Sequence, residues 1–347
     1  MLIGIGRPLA WEGVLTDSPR TVFFGALRPI RGSLQQDMLD ERHPGGVGAF
    51  MNKATMALVV AGFSLAGSAS VAQAQTAAAL VPAGETIVPR SAFFLGVGAS
   101  INATSFPDQY LYAQGVSDIF QNGAQVAYGS AGGSTFPSLG SDVNVSPSAQ
   151  IGYFRHFDGS DWLWGAKFSY NYLDAESTNE FVRVPQYGSF TSANSDTFTG
   201  NVVLRSYETR IKHQMALMPF IGRSFDRSFF YAGAGPSLAQ AESNLNGMIG
   251  FAAINGTHEN ITGAPANFSS TQWAFGGAAT VGATYFFTSE WFVDASYTYT
   301  VTNTRNATFS GYFASSSDGY DDTGIISGNY SGSFHTQEFK ISLNRAF

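Results

Sequence analysis

The chain has 347 residues, 44% apolar and 14% aromatic but only 12% charged, with a formal net charge of −7 and no cysteine. The missing cysteine excludes a disulfide framework, a thiolate metal site and a Cys nucleophile, and an acidic balance without a basic patch excludes nucleic acid as a partner. A soluble domain carries about 25% charged residues to cover its surface, so a chain at half that level hides much of its outside from water.

In chain order, residues 1–50 scatter Arg, Pro and Gly without helical or strand periodicity and read as an upstream extension, expected to reflect a start codon placed too early. From Met51 the sequence changes character: Lys53 gives a positive n-region, Met56 to Ala66 an apolar h-region, and Ala72-Gln73-Ala74 the small-x-small pattern of a signal-peptidase site. Residues 51–74 are therefore expected to be a cleaved signal peptide, 75–90 a periplasmic N-terminal tail and 91–347 the folded domain. Beyond Gln75 no uninterrupted apolar run approaches the roughly 20 residues of a membrane helix, which leaves a closed β-barrel as the way this chain could span lipid.

From Ser91 onward, segments of about ten residues alternate apolar or aromatic with small or polar side chains, the period that puts them on opposite faces of a strand. Trp162, Trp164, Phe168, Tyr170 and Tyr172 share one face of the third segment, and Leu163, Gly165, Lys167, Ser169 and Asn171 the other. The same alternation marks strands near 93–101, 147–157, 208–222, 229–240, 269–287, 291–303 and 338–347, eight in all. The gaps between them run alternately long (102–146, 175–203, 241–268, 304–333) and short (158–161, 223–228, 288–290). A sandwich has no reason to sort its loops in this way, whereas a membrane barrel has tight turns on one side and long loops on the other. The expected fold is thus all-β: an eight-stranded antiparallel transmembrane β-barrel with short periplasmic turns and long extracellular loops.

Trp162, Phe229, Phe287, Trp291 and Phe347 gather at the short-turn end, with Tyr172 and Tyr299 toward the loop end, as an aromatic girdle at the two lipid–water boundaries would. Counting alternate positions assigns Lys167, Glu208, Arg210, Lys212, Asp294, Glu338 and Lys340 to the interior. Eight strands leave room for side chains and little else, so these charges are expected to pair across the lumen and plug it. The long gaps, rich in Gly, Ser, Asn and Thr and dotted with acids, are expected to be solvated surface loops; bridging of those acids to lipopolysaccharide by divalent cations is the rival reading.

The signal-peptide pattern, the alternating last strand ending on Phe347 and the eight-strand long/short rhythm together resemble the small outer-membrane β-barrel proteins of Gram-negative bacteria, in particular the OmpA-like and opacity-like barrels of α-proteobacteria. The resemblance covers residues 75–347. It implies an outer-membrane location, contact with outer-membrane lipids and lipopolysaccharide, and handling by periplasmic chaperones and the outer-membrane assembly machinery. In such barrels that machinery reads the terminal aromatic strand, a role the resemblance extends to Phe339, Ile341, Leu343 and Phe347. OmpA continues into a soluble peptidoglycan-binding domain with no counterpart in this sequence, so anchoring through such a domain is not expected.

Some barrels of this kind modify lipids, so catalytic groupings matter. No G-x-S-x-G, H-E-x-x-H or Walker pattern occurs, and His335 with Glu338 and a loop Ser is the one grouping to inspect. No catalytic residue, cofactor or metal ligand is assigned. The expected function is non-enzymatic support of the envelope and surface interaction through the loops; a small porin or ligand channel is the alternative, and a lipid-modifying barrel hydrolase the more distant one.

Overall fold

The computed structural model describes residues 87–192, 197–254, 257–317 and 319–347; the expected upstream extension, signal peptide and most of the N-terminal tail lie outside the described residues. The strands are β1 (Ser91–Ser105), β2 (Tyr110–Gln121), β3 (Ala124–Thr135), β4 (Ser141–His156), β5 (Trp162–Thr191), β6 (Thr197–Ser224), β7 (Ser228–Ile254), β8 (Thr257–Asn260), β9 (Ala266–Phe286), β10 (Trp291–Thr302), β11 (Arg305–Ser317), β12 (Tyr320–Gly332) and β13 (His335–Ala346). Eight of them, β1, β4, β5, β6, β7, β9, β10 and β13, correspond to the eight alternating segments.

These eight close on themselves. Going round the ring, β1 pairs with β4, β4 with β5, β5 with β6, β6 with β7, β7 with β9, β9 with β10, β10 with β13 and β13 with β1, all antiparallel. Closure gives each of the eight a ladder partner on both sides within the ring. The connections at one end are only residues 157–161, 225–227 and 287–290. Alternation decides which face looks inward: Phe93, Leu95, Val97 and Ile101 are exposed while Phe94, Ser100 and Asn102 are buried. Small inward residues make room for large ones. A Cβ at Gly282, for instance, would collide with the Tyr231 ring, so glycine there lets that ring lie across the lumen.

The long gaps are not loose loops. They continue the staves: β5, at 30 residues, is about three times the ~9–11 residues a tilted transmembrane strand needs. Where β1 and β4 end, the β2–β3 hairpin takes their place; where β10 and β13 end, the β11–β12 hairpin does. The pairings β11–β12, β12–β2, β2–β3 and β3–β5 tie both hairpins to the extended β5, β6 and β7 as a second tier. Asn122 and Gly123, with φ of 50° and 80°, make the β2–β3 turn, and Gly319, at φ 81°, sits in the β11–β12 turn. Both turns carry the Asn-Gly or Asp-Gly pair that suits the twist of a tight hairpin. Between β9 and β11 the tier meets without a ladder, through the Gly263–Ala314 bridge and a bond from Gln272 Nε2 to Asn306 O of 2.8 Å.

This tier has a dry centre of Leu111, Val184, Leu204, Tyr207, Leu245 and Phe309, all buried. The expectation of solvated loops is overturned for a physical reason: alternation continues through the Gly- and Ser-rich tracts, and its apolar members point inward here because water, not lipid, lies outside.

Candidate functional site

The interior is layered. At the short-turn end Phe94, Phe154, Phe229, Phe286 and Phe292 form an aromatic floor, with Phe286 and Phe292 stacked at 4.6 Å and Phe154 5.2 Å from Phe229. Val88 packs beneath it and Ile87 N donates to Asp226 O at 2.9 Å, so the end of the segment expected to be a periplasmic tail is tucked into the barrel foot. Phe229 therefore departs from its expected place in the girdle: it is 2% exposed, while its neighbour Phe230 takes the outward position. The other girdle residues, Trp162, Tyr172, Phe287, Trp291 and Tyr299, face out.

Above the floor lies a polar layer. Lys167 Nζ donates to Tyr231 Oη at 2.6 Å, Tyr231 Oη donates to Asp294 Oδ1 at 2.8 Å, and Lys167 and Asp294 are 3.6 Å apart. Lys340 faces Glu338 at 3.4 Å, and Asn171 Nδ2 donates to Glu338 Oε2 at 3.0 Å. Gln150 Nε2 joins the sets, reaching Asp294 Oδ2 at 3.2 Å and Asn344 Oδ1 at 2.8 Å. All four charged side chains are at most 3% exposed, and their charges cancel. Each charge has an opposite one within ion-pair distance, and Lys167, Asp294 and Glu338 are hydrogen-bonded as well, which is what makes such burial tolerable; Lys340 has only its ion pair with Glu338.

Glu208, Arg210 and Lys212 are not in this layer. A bulge between Ile211 and His213 inserts one residue of β6 against β7, and a one-residue shift flips every later side chain to the other face. Below the bulge Gln214, Ala216 and Met218 point inward; above it Ile211, Thr209 and Tyr207 do. Arg210 and Lys212 are consequently about one-third exposed on the outer rim, where Arg210 meets Asp174 at 2.6 Å and Lys212 meets Glu242 at 2.5 Å. Glu208 stays on that outer face, beside Asn244 Nδ2 at 3.4 Å.

A third, apolar layer of Phe106, Leu173, Ile211, Ala241 and Phe334 covers the polar one, and the core of the upper tier lies beyond. Near the tip, Gly115, Ala131, Val202, Ala252, Phe313 and Ile326 border a cavity of about 50 Å³. That is room for a few waters and well below the roughly 300 Å³ of an ordinary ligand pocket.

Outside the ring, the faces of β1, β5, β9, β10 and β13 are a continuous apolar and aromatic band, while charge and amide groups fill the middle of the lumen. Oil outside and polar groups inside a closed ring is the pattern lipid demands. The chain is a transmembrane β-barrel. On this barrel Phe339, Ile341 and Leu343 face outward on β13, the strand that closes the ring onto β1, and Phe347, just past its end and bonded to Phe93, is exposed as well.

The barrel does not assemble the grouping of His335, Glu338 and a loop Ser. His335 Nδ1 lies 3.5 Å from Tyr299 Oη near the outer surface, and Glu338 points into the lumen. His213 likewise engages Tyr170 Oη at 2.9 Å. Among the described residues no cluster of three or more His, Asp or Glu could hold a metal.

Asp322 on β12, in the upper tier, is one acid the surface-loop reading misplaced: it is buried and accepts a hydrogen bond from Ser117 on β2. Burial is the largest influence on its carboxyl and pushes its pKa up to about 6 from 3.8, against the Ser117 bond that favours the anion. A raised carboxylate pKa means that the folded tier holds its proton longer than the unfolded chain does, so stability falls as pH rises from about 4 to about 6 and is level above that. Asp322→Asn is expected to abolish this slope, which spans at most about 3 kcal/mol for two pKa units. Amide exchange of β2 and β12, corrected for intrinsic rates, measures it; parallel slopes in both proteins would refute the assignment.

No family model matches the chain, and no curated protein matches it. Among solved structures it is similar to the outer membrane protein OprG from Pseudomonas aeruginosa, at 10% identity over 76% of this chain and 99% of that one, with a TM-score of 0.34. It is also similar to Ail, the attachment invasion locus protein of Yersinia pestis, at 16% identity over 68% of this chain and 98% of that one, TM-score 0.21. Neisserial surface protein A gives 15% identity over 70% and 95%, TM-score 0.23.

Proposed function

We propose that this protein is a non-enzymatic, non-conducting barrel of the Gram-negative outer membrane that supports the envelope and presents a folded extracellular tier for surface contact. One observation carries the reading: the lumen is filled in successive layers, an aromatic floor, a neutral ionic layer and two apolar layers. A channel needs a continuous wet path, and an eight-stranded ring has little width to spare for one. The upper tier extends well past the membrane and carries apolar groups on its outside: Tyr312 is 89% exposed and lies in register with Ile325, itself in register with Val116. Exposed apolar stripes of this sort favour contact with another surface. Outer-membrane lipids and lipopolysaccharide are the proposed surroundings of the apolar band, and the outward β13 residues the proposed signal to the assembly machinery.

Purified protein in planar bilayers is expected to stay electrically silent, and proteoliposomes containing it to swell no faster in small sugars than empty vesicles. Steady, resolvable openings would favour the small-porin alternative and overturn this reading.

A further inference from the structure

The upper tier has two unlike sides. Along β5, β6 and β7 its outside carries charge: Glu180, Arg183 and Arg205 are exposed, and Arg210 and Lys212 sit in their rim ion pairs. The opposite wall, made of β11, β12, β2 and β3 in that order, carries none over the middle of its height. Residues 110–116, 128–134, 306–314 and 323–331 hold no Asp, Glu, Lys, Arg or His, and Asp118 and Asp321 come only toward the tip. Tyrosines stand on this charge-free wall instead. Tyr312 lies beside Ile325 and Val116 in one row, Tyr128 is exposed on β3, and Tyr187, 71% exposed, borders the wall from β5.

One of these rings is laid down on the sheet. A Cβ at Gly132 would lie 2.6 Å from the Tyr112 hydroxyl and 3.3 Å from its Cζ, so the bare glycine gives the phenol a place to rest, and the hydroxyl donates to Gln114 Oε1 at 3.3 Å. Tyr187 flanks the same glycine from the other side, in register with it. The two tyrosines are therefore about two strand spacings, roughly 10 Å, apart on one flat surface. Each class of charged or greasy partner leaves something unpaired here. A sulfated, phosphorylated or acidic partner finds no cation, and a wholly apolar one strips water from hydroxyls and amides without replacing its hydrogen bonds. The core of a protein interface favours Trp, Met and Arg and is poor in Ser, whereas these four tracts hold none of the first three and five serines.

We infer that this wall binds an uncharged chain of equatorially linked pyranose sugars, an inference that rests on the surface contact proposed above and names its partner. Such a sugar ring has two apolar C–H faces and a belt of hydroxyls at its edge. The face covers a tyrosine ring, whose body is apolar and whose tip is polar, while the edge exchanges hydrogen bonds with Gln114 and the surrounding Ser, Thr and Asn side chains. A flat chain suits a flat sheet, and Tyr112 and Tyr187 hold two of its rings at once.

The test is a cellohexaose titration of the full barrel in a detergent without a sugar headgroup, read by the ring 13C–1H resonances of its tyrosines. Those of Tyr112 and Tyr187 are expected to shift saturably. Tyr187→Ser, at an exposed position, is expected to weaken the fitted affinity about fivefold, the size of one aromatic contact. Gly132→Ala, which lifts the Tyr112 ring off the sheet and leaves every tyrosine in place, is expected to weaken it too. Heat-dependent gel mobility checks that both variants fold; should Gly132→Ala fail to, Tyr187→Ser decides alone. Shifts that do not saturate, an affinity unchanged in a folded variant, or tighter binding of a heparin hexasaccharide each overturns the assignment. So does sedimentation of a dimer that Tyr187→Ser splits, which would make the wall a contact between two copies. The titration is independent of conductance: it can fail while the barrel stays silent in planar bilayers, and openings there would leave a saturable titration standing.

Discussion

Lys167→Met is expected to destabilise the barrel by roughly 3–5 kcal/mol, the usual consequence of removing one partner from a buried ion pair. Among the described residues the ammonium is the only cation within ion-pair distance of Asp294, and it also anchors the Tyr231 hydroxyl that bonds the same carboxylate. Taking it away leaves a negative charge walled in by the aromatic floor below. Urea unfolding in lipid vesicles measures the loss, with the heat-dependent mobility of the folded barrel on gels as a second readout. Lys167→Met combined with Asp294→Leu is expected to recover most of it, because two apolar side chains strand no charge. Equal unfolding midpoints for the single variant and the wild type would show that the pair carries none of the stability assigned to it.

Leu204→Asp is expected to separate the two tiers. Leu204 is fully buried in the upper core, in the cluster that holds Tyr207 and Leu245. Burying an unpaired charge there costs more than about 4 kcal/mol, enough to melt a local unit. The membrane ring keeps its own layers, so the variant should remain heat-modifiable while protease cuts appear in β2, β3, β11 and β12. A variant as protease-resistant as the wild type would mean that this core does not hold the tier together.

The ring was legible in the sequence because period-two alternation and loop lengths report directly on strand faces and barrel topology. Third-strand parity places Lys167 inside and Trp162 outside, as found. Parity fails where the backbone slips: nothing in the residues around Ile211 announces the bulge that moves Arg210 and Lys212 to the outer rim. Phe229 departs for another reason: it shares the phase of Tyr231, two residues on, and period-two alternation turns both side chains into the lumen although Phe229 lies next to the turn. The upper tier was hidden by composition. Ser- and Gly-rich tracts suggest loops, yet Asn122-Gly123 and Asp318-Gly319 are strong hairpin signals that would have found β2–β3 and β11–β12.

The staves β5, β6 and β7 run unbroken from the foot of the barrel into the upper tier, at 30, 28 and 27 residues. A load applied at the tip therefore passes into the membrane ring as shear along continuous ladders, with no linker between the tiers to absorb it. Whatever grips the far end of this molecule pulls on its anchorage in lipid through the same hydrogen bonds that close the wall.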